Sequence, residues 1–141
     1  MAGTKAKGKI NSRAKGCRGE REACELLRSF GIAARRGQQF KGTKDSPDVV
    51  TNLTGWHCEV KRVESFNAYK AVEQAQADMG VGEKALVLHK RNGKPWLIVM
   101  TAESVLPLLA RSVGLGLENV PPRGAEVANT TAQEDYSDAD L

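Results

Sequence analysis

The stretch Ser46–Arg62, SPDVVTNLTGWHCEVKR, contains two short runs of strand-forming residues joined by NLTG. Strands disfavour Asp, Glu and Lys, yet Asp48, Glu59 and Lys61 flank or interrupt these runs. Side chains alternate across a strand, so Glu59 and Lys61 project to the same side, about 7 Å apart. If the two strands pair antiparallel through the NLTG turn, Asp48 approaches both residues. The three charges therefore either lie on a solvent-exposed face or converge on a site.

Converging carboxylates have a defined chemistry. They repel each other, and one of them takes up a proton unless a cation lies between them. Mg²⁺ suits such a position because it prefers hard oxygen ligands and keeps several waters, and we expect Mn²⁺ to substitute for it. A bound metal polarises a phosphoryl oxygen and activates water, while Lys61 would orient or deprotonate that water or neutralise charge on the phosphate. The pattern predicts metal-dependent phosphodiester hydrolysis, with a solvated sheet face as the alternative.

Composition predicts a single soluble domain. The chain has 141 residues, of which 40% are hydrophobic and 27% charged, enough for a core of its own. It has neither an 18-residue apolar run nor a signal-peptide pattern, so we expect a cytoplasmic protein, in the host cytoplasm if it is viral, with no membrane partner. Cys17, Cys24 and Cys58 form an odd set without metal-ligand spacing and are interpreted as free thiols.

The charge is unevenly distributed along the chain. Residues 1–44 carry 12 Lys or Arg and 3 Glu, residues 45–123 carry nine of each sign, and residues 124–141 carry five acids and no base. We therefore expect a flexible basic arm at 1–15, a folded domain at 16–113 and a Gly/Pro-containing, acidic, partly disordered tail at 114–141. A basic segment on a neutral body favours a nucleic-acid partner, with a merely solubilising arm as the alternative.

Hydrophobic periodicity and turn residues predict three helices and five strands. The helices are expected at Gly16–Phe30, Ala68–Met79 and Thr101–Val113, with Pro107 either kinking the last or opening its second half. The strands are expected at Ile32–Arg35, Asp48–Thr51, Trp56–Val63, Ala85–His89 and Trp96–Met100, the last two joined by an Asn92-Gly93 hairpin turn. This order predicts an α/β fold, a central mixed sheet with a helix on each face.

The first helix carries an unusual acid. At 100° per residue, Glu20 falls inside the apolar stripe, whereas Glu22 and Glu25 fall outside it. A carboxylate in a core-facing stripe is costly unless it is paired or binds a metal. Glu20 therefore either pairs with an arginine or joins Asp48 and Glu59 as a third acid.

The segments KGCRGEREACELLRSFGIAARR (15–36), PDVV (47–50) and EVK (59–61) together resemble the PD-(D/E)xK nuclease superfamily. More narrowly, they resemble the archaeal-type Holliday-junction resolvases and their small viral relatives, over about residues 15–100. The resemblance implies a restriction-endonuclease-like fold with Glu20, Asp48 and Glu59 as metal ligands and Lys61 as the catalytic lysine. It also implies that Arg21 and Arg36 contact the DNA backbone.

The resemblance further implies a function. Members of the family act as homodimers, use Mg²⁺ and make paired nicks in four-way DNA junctions during recombination and repair. Lys15, Arg18 and Arg28 are further expected DNA contacts on the basic part of the chain. A nuclease for forks, flaps or single strands remains an alternative, as does a non-catalytic DNA-binding protein.

Five further residues and one helix are ambiguous in the sequence. His57 shares a strand face with Glu59, although a core or edge histidine is favoured over an approach to the metal. Gln76 is considered a better candidate than Gln74 to lend a polar group to the site, with a solvated role favoured. Trp56 and Trp96 are both expected in the core. The helix at 101–113 has more apolar residues than one packing face needs, so its surplus either forms a dimer interface or continues the core.

Overall fold

The computed structural model describes residues 12–38 and 47–115 of the chain. It contains three α-helices and five β-strands in these ranges, in the order predicted from the sequence. The helices are α1 (Ser12–Ser29), α2 (Ala68–Asp78) and α3 (Ala102–Ser112). The strands are β1 (Ala34–Arg36), β2 (Val49–Thr51), β3 (Trp56–Lys61), β4 (Lys84–His89) and β5 (Leu97–Val99).

The strands form one mixed sheet in the order β1-β2-β3-β4-β5. The β1–β2, β2–β3 and β4–β5 pairs are antiparallel. The β3–β4 pair is parallel, with Trp56 opposite Lys84 and Lys61 opposite His89. Helix α2 makes the crossover that a parallel pair requires. The predicted α/β fold with a central mixed sheet flanked by helices is therefore confirmed.

The two faces of the sheet bury different helices. Alternation along β4 sends Leu86 and Leu88 to the side where α1 packs through Ala23, Cys24 and Leu27. The intervening Ala85 and Val87 face α2, which contributes Ala71 and Ala75. Strand β3 divides likewise, because Trp56, Cys58 and Val60 contact the α1 cluster, which leaves His57, Glu59 and Lys61 on the α2 side.

The ends of the elements follow local signals. Helix α1 begins at Ser12, four residues before the predicted start, so Ser12–Lys15 are helical and residues 1–11 of the predicted arm lie outside the described residues. The helix ends before Gly31, whose φ of 78° suits a residue without a side chain. Helix α2 is capped by Asn67, whose side chain accepts a hydrogen bond from the Lys70 amide.

Helix α3 differs from the other two because none of its residues is buried. Pro107 lies inside it, and the helix continues through the proline. Leu106, Leu108 and Leu109 are 57%, 41% and 56% exposed, and Leu97 and Ile98 of the neighbouring β5 are similarly exposed. Of the two roles that the sequence left open, α3 therefore does not continue the core of this chain.

Candidate functional site

The β2–β3 hairpin brings Asp48 and Glu59 together. Val49 pairs with Cys58 across the antiparallel strands, so the preceding Asp48 faces Glu59. The Val60 amide donates a 2.9 Å hydrogen bond to Asp48 Oδ2. On the other side the Gly37 amide donates to the Asp48 carbonyl at 2.9 Å. A β-carbon on Gly37 would collide with the Pro47 carbonyl oxygen, so the absence of a side chain there is needed to hold this segment.

The two carboxyl groups perturb each other. Burial raises the pKa of Asp48 to about 7, and the hydrogen bond and negative charge of Glu59 act in the same direction, followed by the charge of Glu20. Burial alone would raise the pKa of Glu59 too, but hydrogen bonds from His57 and then Asp48 keep it below its ordinary value. Below its raised pKa, Asp48 therefore carries the proton of the pair while Glu59 is ionised.

His57 fixes Glu59 from its other side. The imidazole is 2% exposed, and its Nε2 lies 2.7 Å from Glu59 Oε1, to which it donates. Its Nδ1 lies 3.7 Å from Glu83 Oε2, and that same oxygen accepts a 3.0 Å hydrogen bond from the Gly80 amide. The hydrogen bond to Glu59 raises the pKa of His57, against the effect of burial. The favoured interpretation of His57 as a buried histidine is correct, and its partner is a candidate catalytic carboxylate.

Lys61 projects from the end of β3 on the same side as Glu59. Its Nζ donates a 3.1 Å hydrogen bond to Gln74 Oε1 of α2. The preference for Gln76 over Gln74 was wrong: both are exposed, and Gln74 is the one that binds Lys61. The phase of α2 explains this: with Ala71 and Ala75 facing the sheet, Gln74 lies closer to the buried stripe than Gln76 does.

Glu20 is close to the carboxylate pair but is itself bound to an arginine. The Arg36 Nε donates to Glu20 Oε2 at 2.8 Å, and the Glu20 side chain is 16% exposed. The helix phase predicted this inward position correctly. Of the two roles left open by the sequence, the structure contains the arginine pair, while the charge of Glu20 still acts on Asp48.

Glu22 lies outside the buried stripe, as predicted, but it is half-buried and paired rather than solvated. Its carboxylate is 28% exposed and accepts a 2.7 Å hydrogen bond from Arg62 Nε. The second arm of the same guanidinium donates to Asn92 Oδ1 at 2.8 Å. An isolated helix wheel could not show this, because Arg62 lies 40 residues further along the chain. Glu25, by contrast, is exposed as predicted.

Several predicted DNA contacts lie on one flank of the site. Arg21, Arg28 and Arg36 line the same concavity, about 290 Å³ in volume, together with Cys24 and Glu25. Arg28 also donates to the Ala34 carbonyl at 2.9 Å, which fixes its stem. Lys15 is half-buried and Arg18 exposed on the N-terminal half of α1. The arginine flank, Arg21, Arg28 and Arg36, has the charge and shape to bind phosphate groups.

The donor set suits a hard divalent cation. Mg²⁺ commonly binds one or two protein carboxylates and retains waters, and a cation placed between Asp48 and Glu59 would replace the proton of the pair. Among residues 12–38 and 47–115, no three His, Cys, Asp or Glu side chains are already grouped as a metal site. Glu20 would complete such a group by exchanging Arg36 for the cation. Asp48 and Glu59 therefore fit a metal directly, and Glu20 fits after this rearrangement.

The remaining residues singled out in the sequence are structural in this fold. Trp56 and Trp96 pack against the α1 cluster as predicted. Burial raises the pKa of Cys58 to about 12, and its side chain faces α1, away from the carboxylates. None of the helices in the described parts of the chain is long and apolar enough to cross a bilayer.

Two contacts near the site had no sequence signal. Glu83 lies in the turn immediately before β4. The parallel pairing of β3 with β4 brings it close to His57. Asn92 was identified as a turn residue, but its bond to Arg62 depends on the same pairing. Neither contact follows from periodicity or local spacing.

Comparison with known proteins gave one solved structure to report. It is that of Hjc, a Holliday junction resolvase from the archaeal hyperthermophile Archaeoglobus fulgidus, with 26% sequence identity and a TM-score of 0.47. The similarity covers 61% of this chain and 76% of that one. Neither the family models nor the curated proteins gave a match. A TM-score below 0.5 is too low to support a function, so the proposals below depend on the site itself.

Proposed function

We propose that this protein is a Mg²⁺-dependent endodeoxyribonuclease, and more specifically a junction resolvase that makes paired nicks in four-way DNA junctions. The observation that carries the proposal is the pairing of half-buried Asp48 with buried Glu59 on the strand of Lys61, where the Val60 amide fixes Asp48 and His57 fixes Glu59, with the pKa of Asp48 raised and that of Glu59 lowered. A pair of carboxyls with such opposed pKa shifts is expensive to maintain in a purely structural role and is common at catalytic sites.

The metal would be held by Asp48 and Glu59, with Glu20 as a third ligand. When bound, Mg²⁺ would supply polarisation of the scissile phosphate and a more acidic water, and Mn²⁺ would be expected to replace it. The protein's own residues orient the site: His57 holds Glu59 ionised and fixed in direction. Gln74 accepts a hydrogen bond from the Lys61 amine and so holds it on the same side of β3 as Glu59. There the charge of Lys61 can neutralise the phosphate, or its nitrogen can orient water.

Arg36 has two alternative anionic partners in this proposal. In the structure it neutralises Glu20. Its side chain is 37% exposed and also lines the concavity with Arg21 and Arg28. When a cation binds Glu20, Arg36 would therefore move from Glu20 to a DNA phosphate. The binding of metal and the binding of DNA would then strengthen each other.

Junction resolution also requires two cuts. A four-way junction has approximate two-fold symmetry, and one chain supplies one Glu20/Asp48/Glu59/Lys61 site. A symmetric homodimer would supply two related sites, and the exposed leucines of α3 with Leu97 and Ile98 of β5 are the proposed interface. Cleavage of a panel of four-way junction, fork, flap, single-strand and linear duplex substrates would identify the preferred substrate.

Glu59→Gln tests the nuclease proposal directly. We expect cleavage to fall more than about 100-fold, because metal ions contribute several kcal/mol to such reactions. Binding to DNA should persist, because the arginine flank is unchanged. The matched control is Glu73→Gln, an exposed acid on α2 that should cleave like the wild type. Cleavage is measured with Mg²⁺ and with EDTA.

Two results would contradict the assignment. Wild-type cleavage by Glu59→Gln would remove this residue from the site. Binding to DNA without cleavage in Mg²⁺ or Mn²⁺, by the wild-type protein on any substrate of the panel, would favour the non-catalytic DNA-binding protein.

A further inference from the structure

A short basic turn follows β4 and has no role in the site described above. It comprises Lys90–Lys94, with the sequence KRNGK, and carries three positive charges and no negative one. Its first amide, on Lys90, donates to the Lys61 carbonyl at 3.2 Å. The turn therefore starts immediately beside the end of the strand that carries Glu59 and Lys61.

The backbone of the basic turn is held in place by neighbouring segments. Arg62 donates to Asn92 Oδ1 at 2.8 Å, and the Asn92 amide donates to Glu64 Oε1 at 2.8 Å. The Lys94 amide closes the turn on the Arg91 carbonyl at 3.2 Å. Gly93 adopts a φ of 66°, as an Asn-Gly turn requires. Fixing the backbone in advance lowers the entropic cost when the turn binds a partner.

The charges of the basic turn form no ion pair among the described residues. Lys90 is half-buried, with its Nζ 5.8 Å from the centroid of the Trp96 ring, while Arg91 and Lys94 are exposed. The carboxylate of Glu64 accepts from the Asn92 amide and forms no ion pair with the three side chains, so it offsets at most one of their charges. The turn therefore presents net positive charge beside the candidate site.

We infer that the basic turn is a second binding surface for the phosphodiester backbone of DNA. The arginine flank lies on α1 and β1 and the basic turn follows β4, so in the strand order β1-β2-β3-β4 the carboxylates, next to β2 and on β3, lie between them. Arg62 links the two, since one guanidinium binds both Glu22 of α1 and Asn92 of the turn. The inference rests on the proposed function because it takes DNA as the partner. It adds a binding surface for the DNA backbone on the side of the site opposite the arginine flank.

The test compares the salt dependence of DNA binding between the wild type and the triple variant Lys90→Gln/Arg91→Gln/Lys94→Gln. Binding of a fluorescent duplex is measured in EDTA over a range of salt concentrations. The slope of log K against log salt should fall by about 0.9 for each phosphate that the variant no longer binds, and so by up to about 2.7 for three. The substituted side chains are exposed or half-buried, and an unchanged melting temperature would show that the fold is retained.

The chain provides a closely matched control in Lys84. Lys84 begins β4 and Lys90 follows its end, about 20 Å away along the strand. Each lysine lies over a tryptophan ring, Lys84 at 5.5 Å from Trp56 and Lys90 at 5.8 Å from Trp96. Lys90→Gln and Lys84→Gln therefore remove the same charge and the same ring interaction. Only Lys90→Gln should lower the slope.

EDTA makes the result independent of cleavage. Equal slopes for the triple variant and the wild type would overturn the inference, even if Mg²⁺-dependent cleavage is found. Equal decreases in Lys84→Gln and Lys90→Gln would overturn it too, because they would show a general effect of net charge. A decrease confined to the basic turn would support it whether or not the site proves to be a nuclease.

Discussion

Glu59 is the residue on which the other side chains of the site converge. It contacts His57 on one side and Asp48 on the other, and it is 5% exposed. The Glu83 carboxylate lies behind His57 and is itself fixed by a backbone amide. A buried donor that fixes a metal ligand typically affects metal affinity as strongly as some ligands do. His57 is therefore expected to act as a positioning residue.

Substitutions of His57 separate positioning from simple packing. In His57→Gln the amide nitrogen can still donate to Glu59, whereas His57→Leu fills the space without a donor. We expect His57→Leu to weaken Mn²⁺ binding about 10- to 100-fold and His57→Gln to retain much of it. Mn²⁺ affinity is measured by electron paramagnetic resonance without DNA, and melting temperatures report the cost in packing. The same Mn²⁺ affinity in both variants and the wild type would contradict the positioning role.

Much of the residue-level site was predictable because it depends on local rules. Strand alternation placed Glu59 and Lys61 on one side, and antiparallel pairing brought Asp48 to Glu59. Helix phase placed Glu20 inward. Whether Glu20 binds Arg36 or a cation depends on competing charges, and periodicity does not report on these. The partners of Lys61 and His57 depend on α2 and the following turn, whose placement requires the whole sheet.

At the scale of elements, the approach of α1 to β3 depends on one glycine. Gly19 is buried in α1, and a β-carbon added there would lie 2.7 Å from the Arg62 β-carbon. That atom belongs to the fixed base of the arginine side chain and cannot move away cheaply. The close approach allows Arg62 to bind Glu22 on the helix while it also reaches Asn92.

Alanine substitutions at two glycines of α1 should therefore have opposite effects. Gly19→Ala should destabilise the protein by about 1–3 kcal/mol through overpacking. Gly16→Ala, where a β-carbon meets nothing within 4 Å, should stabilise it by about 1 kcal/mol through helix propensity. The midpoints of urea unfolding would measure both changes in stability, provided that the m-values are unchanged. Stabilisation by Gly19→Ala would show that α1 does not approach β3 this closely.

The elements themselves were predictable from the sequence, and their edges less so. All eight appear in the predicted order, since alternation in the strands and the stripe in α1 are strong signals. Helix α1 extends back to Ser12 because Lys, Arg and Ala are good helix formers, although this segment has no apolar periodicity. Strand β5 shrinks to Leu97–Val99 because its ladder with β4 contains three residue pairs.

For the whole molecule, the unusual feature is the apolar surface on α3 and β5. Leu97 and Ile98 are 55% and 60% exposed, and α3 has no buried residue to fix it to the sheet. Large apolar side chains exposed on two consecutive elements are typical of an interface. The amphipathic pattern of the sequence indicated a packing face on α3 but could not distinguish a face for the chain's own core from one for a second copy.

Leu106→Glu/Leu109→Glu should convert a dimer into a monomer. The wild type is expected to sediment at about twice its chain mass of 15.2 kDa, because burying the α3 leucines against a symmetry mate removes them from water. Val81→Glu is the control, since Val81 is a fully exposed apolar residue in the turn before β4 and should leave the mass unchanged. A wild-type monomer at micromolar concentration, also when bound to DNA, would contradict the dimer.

The strand order β1-β2-β3-β4-β5 has a consequence for how the chain folds. Each strand lies beside its neighbour in sequence, so few long loops need to close before native contacts form. The amide next to Glu59 reaches Asp48 across 12 residues, and Lys61 meets Gln74 across 13, whereas Glu22 meets Arg62 only across 40. Loop-closure entropy rises with such lengths. By this measure the Asp48–Glu59 pair forms early in folding, and the contact of α1 with the end of β3 forms later.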